Sequence, residues 1–248
     1  MKKTLLATAM LATTAAAQAE ISGNVALASD YVFRGISQTD NQMALQGGFD
    51  YEHESGLYIG TWASNVDSTF FDDNGKDPQL EVDLYAGYSG SLTESIGYDL
   101  GYLRYQYPGA SSVGTNEWYG SGSYSTDGYG DFSLKINYSP DLNFLPSNQS
   151  AWYVKTSIEH TLPWYDIGIS THIGHNFGDA FDLSASDYAK GDTGFTDAYT
   201  DWSIGISKNF FGADFGLTYT DNNMDKPDCP SGADYCDKHF VASISKSF

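Results

Sequence analysis

Apolar or long side chains alternate with small or polar ones along most of the chain, and the last ten residues, HFVASISKSF, show the pattern most simply. Phe240, Ala242, Ile244, Lys246 and Phe248 occupy one face, and small residues, mostly serines, fill the other. A period of two residues is that of a β-strand with two unlike faces. The stretch predicts a final strand ending on an aromatic residue, either in a membrane barrel or at the edge of a soluble sandwich.

Twelve segments show this alternation, and most reach the ~9–11 residues that a tilted strand needs to cross a bilayer. They cover roughly 20–34, 43–53, 57–66, 79–90, 95–107, 116–126, 131–139, 150–162, 165–177, 197–210, 213–221 and 238–248. Long connections alternate with short turns; the long ones are 35–42, 67–78, 108–115, 140–149, 178–196 and 222–237. Outer-membrane barrels have short periplasmic turns and longer external loops. We therefore predict an all-β fold, a single 12-stranded antiparallel transmembrane β-barrel with both termini in the periplasm.

Aromatic residues cluster at the ends of the predicted lipid-facing sides. One set would form an outer rim: Tyr31, Phe33, Tyr138, Trp152, Phe177, Trp202, Tyr219 and Phe240. The other would form a periplasmic rim: Tyr51, Tyr88, Phe210, Phe215 and Phe248. Two such girdles are typical of membrane barrels. The pattern leaves the directions of Trp62 and Trp118 open.

The first residues predict export. Lys2 and Lys3 precede an uncharged stretch with a short apolar centre that ends Ala17-Gln18-Ala19. This is the pattern of a Sec signal peptide covering residues 1–19, and the apolar centre is too short for a permanent membrane anchor. Residues 20–248 would then form one barrel domain.

Charge and cysteine content narrow the partners. The formal net charge is -20, and no basic stripe is present, so nucleic acid is not an expected partner. Cys229 and Cys236 lie close together in a polar segment. In an exported protein they predict a disulfide that closes a small loop. Metal binding by the pair is the lesser alternative because no His lies at ligand spacing; we predict no metal and no cofactor.

Residues 28–67 carry five short motifs in one order. They are Ser-Asp-Tyr at 29–31, Phe-Arg-Gly-Ile-Ser at 33–37, Gln-Gly-Gly-Phe-Asp-Tyr at 46–51, Gly-Leu-Tyr at 56–58 and Ser-Asn-Val-Asp at 64–67. This stretch resembles the N-terminal hallmark of the TorF family of predicted porins. The resemblance implies an outer-membrane β-barrel in a Gram-negative bacterium. It implies no settled substrate, so it carries no binding residues over.

The side chains on the opposite, inward faces include many charges. The predicted lumen acids are Asp30, Asp50, Glu52, Glu81, Asp83, Asp99, Glu159 and Asp214, against Arg34, Lys135 and Lys155. They could form salt bridges across a filled interior or line a water-filled path. In a path, the acid excess would favour cations or neutral solutes. Arg34 is the predicted constriction or network residue, with Asp30 as its expected partner.

These features predict a passive outer-membrane channel for small cationic or neutral solutes, with no enzymatic activity. A closed structural or adhesive barrel without transport is the alternative. A lipid hydrolase is a weaker one: Ser170 and His172 share a strand face, as a nucleophile and its base would. That face is the predicted lumen, however, and the chain has no G-x-S-x-G motif.

The expected partners follow from the predicted location in the outer membrane. We expect contact with outer-membrane lipids including lipopolysaccharide, and with the barrel-assembly machinery through the C-terminal strand ending at Phe248. The predicted external loops 67–78, 178–197 and 222–237 are strongly acidic. They are either simply solvated or hold divalent cations that bridge to lipopolysaccharide phosphates. The Asp72–Asp77 segment lacks the spacing of a calcium-binding EF-hand.

Overall fold

The computed structural model describes residues 20–68, 77–110, 113–142, 149–182, 197–224, 229 and 234–248. The strands are β1 (Glu20–Ala28), β2 (Val32–Phe33), β3 (Ile36–Ser37), β4 (Ala44–Glu52), β5 (Leu57–Asn65), β6 (Leu80–Ser91), β7 (Ile96–Gln106), β8 (Asn116–Thr126), β9 (Gly130–Ser139), β10 (Ala151–Leu162), β11 (Ile167–Phe177), β12 (Tyr199–Phe210), β13 (Ala213–Asn222) and β14 (His239–Ser247). A short 3-10 helix spans Asp179–Phe181. The predicted signal peptide lies outside the described residues.

Twelve of these strands close into one antiparallel barrel, as the alternation predicts. Each strand pairs with its neighbour in the chain, and β1 closes the ring by pairing with both β4 and β14. At the seam, the backbone groups of Gly23 and Phe248 exchange two hydrogen bonds of 2.9 Å. Strands β2 and β3 form a separate two-stranded hairpin.

The outer wall is apolar because alternate residues of every barrel strand point away from the lumen. Leu100, Leu134 and Ile204 are each more than 40% exposed at 58%, 46% and 49%. A water-soluble protein rarely exposes so continuous an apolar surface, whereas a membrane barrel requires it. Trp118 also points outward, at 57% exposure.

Aromatic pairs mark both ends of this apolar surface. At the end with the long loops, the rings of Tyr138 and Trp152 lie 4.4 Å apart and those of Tyr219 and Phe240 lie 4.8 Å apart. At the end with the short turns, Phe210 packs on Phe215 at 5.9 Å. Among the described residues, no helix is long and apolar enough to cross a membrane.

The inner wall packs tyrosine rings over glycines. A Cβ added to Gly87 would lie 2.2 Å from the Tyr58 hydroxyl, and one added to Gly101 would lie 2.3 Å from the Tyr119 ring. Glycine at these two positions therefore makes room for rings lying against the wall. The two tyrosine hydroxyls hydrogen-bond to each other, and Tyr58 also donates to Asp99 Oδ1 at 2.6 Å.

The predicted first strand, 20–34, is too long at its C-terminal end. Strand β1 ends at Ala28, and Arg34 and Gly35 have φ values of 49° and 78°. Two consecutive positive φ values are those of a tight β-hairpin turn, here joining β2 to β3. We refer to residues 29–42 as the inserted hairpin. The prediction that Tyr31 and Phe33 belong to the outer aromatic rim is wrong, because the turn carries both into the barrel.

Candidate functional site

The inserted hairpin crosses the lumen from one side of the barrel to the other. On one side, the Tyr31 ring packs on Trp62 at 5.3 Å, and its hydroxyl donates to Glu81 Oε1 at 2.8 Å. On the other, the Gly35 carbonyl accepts a 2.6 Å hydrogen bond from Asn222 Nδ2. Glu81 lies on β6 and Asn222 on β13, which are nearly opposite in the strand order. The inserted hairpin therefore spans the barrel interior.

Arg34 lies at the tip of the inserted hairpin and is fixed by three groups. Its Nη2 contacts Glu117 Oε2 on β8 at 2.5 Å, and both side chains are buried. The guanidinium carbon lies 4.2 Å from the centre of the Tyr153 ring on β10 and 4.7 Å from that of Phe33. A charge-assisted hydrogen bond and two aromatic faces together compensate the loss of water around the cation.

The expected Arg34–Asp30 pair is wrong. Asp30 lies at the base of the hairpin, where its Oδ1 accepts from Ser37 Oγ at 2.7 Å and Thr39 Oγ1 at 2.9 Å. Its Oδ2 lies 3.1 Å from His239 Nδ1 on β14. Two residues four apart share a face only while a strand continues, and the turn separates these two. Burial raises the pKa of the Asp30 carboxyl, but hydrogen bonds from His239, Ser37 and Thr39 outweigh it and leave that pKa lowered.

Tyrosine hydroxyls hold the acids of the inner wall. Glu81 Oε2 accepts from Tyr107 at 2.5 Å, in addition to the bond from Tyr31, and Asp50 accepts from Tyr85. Burial and the Glu81 charge raise the pKa of the Tyr31 and Tyr107 hydroxyls well above their ordinary range. These phenols therefore stay protonated and act as donors. Many of the acids are held by neutral donors and not by cations.

The predicted lumen residues all lie on the inner wall or the hairpin, at different depths of burial. Glu81, Asp83 and Asp99 are buried, on β6 and β7. Lys135 on β9 and Lys155 on β10 are partly buried, as is Glu159 on β10. The structure brings Arg34 and Glu117 together, and Glu117 was not among the predicted residues. Its inward direction follows once Trp118 beside it points outward.

His172 does not pair with Ser170, the partner that the lipid-hydrolase alternative requires. Its Nδ1 lies 2.7 Å from Ser203 Oγ, and its Nε2 lies 2.8 Å from Asp201 Oδ1. Tyr153 also donates to Asp201 Oδ1, at 3.1 Å. This serine–histidine–aspartate chain resembles a hydrolase triad in composition, but it lies on the inner wall, away from the apolar surface that lipid would contact. It ties β11 to β12 and to β10.

The predicted disulfide between Cys229 and Cys236 is confirmed, with the two sulfurs 2.04 Å apart. A residue next to this disulfide contacts the inserted hairpin: the Tyr235 carbonyl accepts a hydrogen bond from the Ser37 amide at 2.8 Å. Asn222 Nδ2 also bridges the carbonyls of Gly35 and Cys236. The disulfide therefore stabilises a segment that holds the hairpin in place.

Two apolar clusters pack around the hairpin at the long-loop end. The first contains Ile36, Leu142, Ala151, Ala180, Phe181, Tyr199, Cys229, Tyr235 and Cys236. The second contains Val66, Tyr105, Tyr107, Ala110 and Val113, with Tyr31, Phe33 and Leu103 packed against it. The hairpin is thus fixed by apolar packing as well as by hydrogen bonds.

In the described part of the chain, no group of three or more His, Cys, Asp or Glu side chains is arranged to hold a metal ion. Six of the thirteen aspartates in the loops proposed to bind divalent cations, including Asp72 and Asp73, lie outside the described residues. Divalent binding by those loops stays a prediction.

The comparisons with known proteins agree with a barrel. A family model described as "Bacterial protein of unknown function (Gcw_chp)" matches residues 12–248. A search of curated proteins finds no match. Among solved structures, a KdgM porin has a TM-score of 0.58 at 7% identity, over 92% of this chain and 99% of that one. A NanC porin has a TM-score of 0.56 at 10% identity, over 91% and 98%.

A COG4313 outer membrane channel from Pseudomonas putida F1 has a TM-score of 0.54 at 10% identity, over 99% of this chain and 100% of that one. At such low identity these likenesses show the fold alone. The neighbours are outer-membrane porins and channels.

Proposed function

The chain belongs to the Gcw_chp family of bacterial proteins of unknown function, and we propose that it is a porin-like passive channel for small solutes. One observation carries the proposal: a hairpin with a charged tip, Arg34, crosses a polar lumen inside an apolar wall. A barrel whose only role is structural needs no segment folded across its lumen. In a channel, a segment folded into the lumen narrows the path and sets its charge.

We further propose that the channel prefers cationic or neutral solutes. Buried carboxylates at Glu81, Asp83 and Asp99 outnumber the nearby cations once Arg34 is paired with Glu117. An excess of acid along one side of a narrow path raises the local concentration of cations and repels anions. The selectivity is a matter of charge and size, with no catalytic step.

The location belongs to the same proposal. The apolar exterior and the barrel fold of the porin neighbours support the outer membrane of a Gram-negative bacterium, reached by the Sec pathway through the signal peptide at 1–19. Membership of the TorF family, contact with lipopolysaccharide, and recognition of the strand ending at Phe248 by the assembly machinery are parts of this proposal too.

A closed barrel is the second candidate because of the two apolar clusters around the hairpin. Together they join loop residues such as Leu142, Phe181 and Tyr107 over the long-loop end. If they leave no water path, the protein is a structural or adhesive barrel.

Planar-bilayer recording separates the two candidates. We expect the wild-type protein to give discrete openings whose reversal potential in a KCl gradient indicates cation preference. Replacing Val32–Ser37 with a flexible glycine–serine segment should raise the conductance, because the inserted hairpin would no longer span the lumen. The control replaces the short turn Asp127–Tyr129 with a glycine–serine segment of equal length, which should leave the conductance unchanged. A wild-type barrel that stays silent over a wide voltage range would favour the closed barrel.

A further inference from the structure

Two lysines face each other on the inner wall. Lys135 on β9 and Lys155 on β10 are direct cross-strand partners on the inward face. Like charges directly opposite each other in a sheet are destabilising. A pair of this kind needs either nearby counter-charges or a ligand that uses it.

Counter-charges are not in contact with this lysine pair. Among the described residues, neither ammonium has a carboxylate within ion-pair distance; Lys135 Nζ instead lies 3.9 Å above the Tyr119 ring. Along the same cross-strand row, the nearest acids are Asp99 and Asp201. Each lies two strands from the pair, a backbone distance of roughly 9–10 Å. Electrostatic attraction from these acids, and from Glu117 on Lys135 and Glu159 on Lys155, reaches the lysines, but no direct bond forms.

Near the lysine pair lie buried hydrogen-bond acceptors that have no donor among the described residues. Asn137 Oδ1, two residues along β9 from Lys135, is buried and has no hydrogen-bond partner in the described part of the chain. The same holds for two further acceptors, Asp201 Oδ2 and Asp83 Oδ1, and for one donor, Asn176 Nδ2 on β11. Buried acceptors without donors cost free energy and indicate a missing partner. The donor that suits a carboxylate or amide oxygen best is an ammonium group.

We propose that the lysine pair is a binding site for the carboxylate of a permeating solute, and that the channel prefers small zwitterions of the α-amino-acid class. The carboxylate would bridge Lys135 and Lys155, and the solute ammonium would face Asn137 Oδ1, two residues along β9 from Lys135. The solute is neutral overall, so the acidic lumen does not repel it. This inference rests on the proposed channel function and narrows its solute class.

Liposome swelling with two isomeric probes tests the site. L-alanine is a zwitterion, and lactamide has the same atoms without charge, so size does not differ. We expect alanine to enter wild-type proteoliposomes about threefold or more faster than lactamide. Lys135→Met with Lys155→Met should bring the ratio close to one and leave lactamide entry unchanged. Lys135→Arg with Lys155→Arg should retain the preference, because arginine keeps the charge.

The controls are Lys208→Met and Lys246→Met, which remove lysines outside the lumen and should leave the ratio unchanged. Equal entry of alanine and lactamide into wild-type proteoliposomes would overturn the site while the channel stands. Entry of neither probe would overturn both. A double Met variant that slows both probes equally would also overturn the site, because the lysines would then only shape the lumen.

Discussion

The barrel wall and the inserted hairpin are held by different kinds of interaction. The wall repeats one unit, a backbone-paired strand with an apolar outer face, so the same kind of contact recurs around the ring. The hairpin has only one two-residue pair of strands, Val32–Phe33 with Ile36–Ser37. It is fixed mainly by individual contacts from Arg34, Gly35 and Ser37 to separate strands and loops.

This difference predicts that the wall and the inserted hairpin respond differently to the loss of a single contact. Losing one wall contact leaves its many neighbours in place, whereas losing one hairpin contact removes a large part of what docks it. The hairpin can therefore detach locally while the barrel remains folded. Substitutions in the two regions should separate local docking from global stability.

The largest expected effect is on hairpin docking. Glu117→Gln leaves the Arg34 guanidinium buried without its counter-charge, which costs about 3–5 kcal/mol when one partner of a buried pair is removed. We expect the Ser37 amide, which donates to Tyr235, to exchange hydrogen much faster. The control is Glu159→Gln, a partly buried lumen acid away from the hairpin tip. Unchanged protection of Ser37 would show that the pair does not dock the hairpin.

A wall substitution should affect the whole barrel instead. Ile204→Lys places a charge near the middle of the outward face of β12 and should cost about 2–4 kcal/mol of folding free energy in lipid. Thr218→Lys, on the inward face of the neighbouring β13, should cost far less. Urea titration of folding into phospholipid vesicles measures both. Equal losses would contradict the assigned directions of the two faces.

The disulfide should contribute an intermediate amount, and locally. Replacing both Cys229 and Cys236 with serine removes a cross-link worth about 2–3 kcal/mol in a short loop. We expect faster exchange at Ser37 and little change in the urea midpoint of the barrel. A large fall in the midpoint with Ser37 still protected would show that the disulfide supports the wall and not the hairpin.

Gly35 and Gly212 lie in two different turns and allow a controlled comparison of the same substitution. Gly35 and Gly212 both have φ of 78°, but a Cβ at Gly35 would lie 2.9 Å from Asp201 Cβ, whereas one at Gly212 meets nothing within 4 Å. Alanine costs similar backbone strain at both positions. Overpacking should add about 1–3 kcal/mol at Gly35 alone, read as faster Ser37 exchange. Equal exchange in Gly35→Ala and Gly212→Ala would mean that Gly35 is not in close contact.

The smallest effect is the pH dependence from Asp30. The pKa of Asp30 is lowered in the folded protein, so its carboxylate stabilises the hairpin base above the unfolded pKa of about 4. That contribution is lost as the pH falls through the lower, folded value. Ser37 exchange, corrected for its intrinsic pH dependence, should report this loss in the wild type and not in Asp30→Asn. The same pH profile in both proteins would assign the effect to another group.

The alternation predicted the wall because lipid and lumen impose one rule on every strand. It placed β8 at 116–126, the bounds that the structure has, and most other strand ends within two residues. The same rule could not identify the hairpin. Tyr31 and Phe33 continue the apolar alternation of β1, and a periodic pattern cannot distinguish a ring facing lipid from a ring packed inside the lumen.

The site was harder to predict for a related reason. Charges such as Lys135 and Lys155 follow from strand parity alone, since their neighbours are plainly apolar. The partners of Arg34 and His172 do not, because Glu117 and Asp201 lie far away in sequence and meet them only after the barrel closes. The pairing of Arg34 with Glu117 depends on the positive φ values at 34 and 35, which the composition of the segment does not fix.

Thiol modification at the hairpin tip tests the central claim, that Arg34 lies in the conducting path. Arg34→Cys should conduct more than the wild type in single-channel recordings, because the tip loses its bulk and its ion pair. Aminoethyl methanethiosulfonate restores a cationic side chain there and should lower the conductance in one step. The exposed turn variant Gly212→Cys should not respond. An Arg34→Cys channel that is labelled but keeps its conductance would contradict the account.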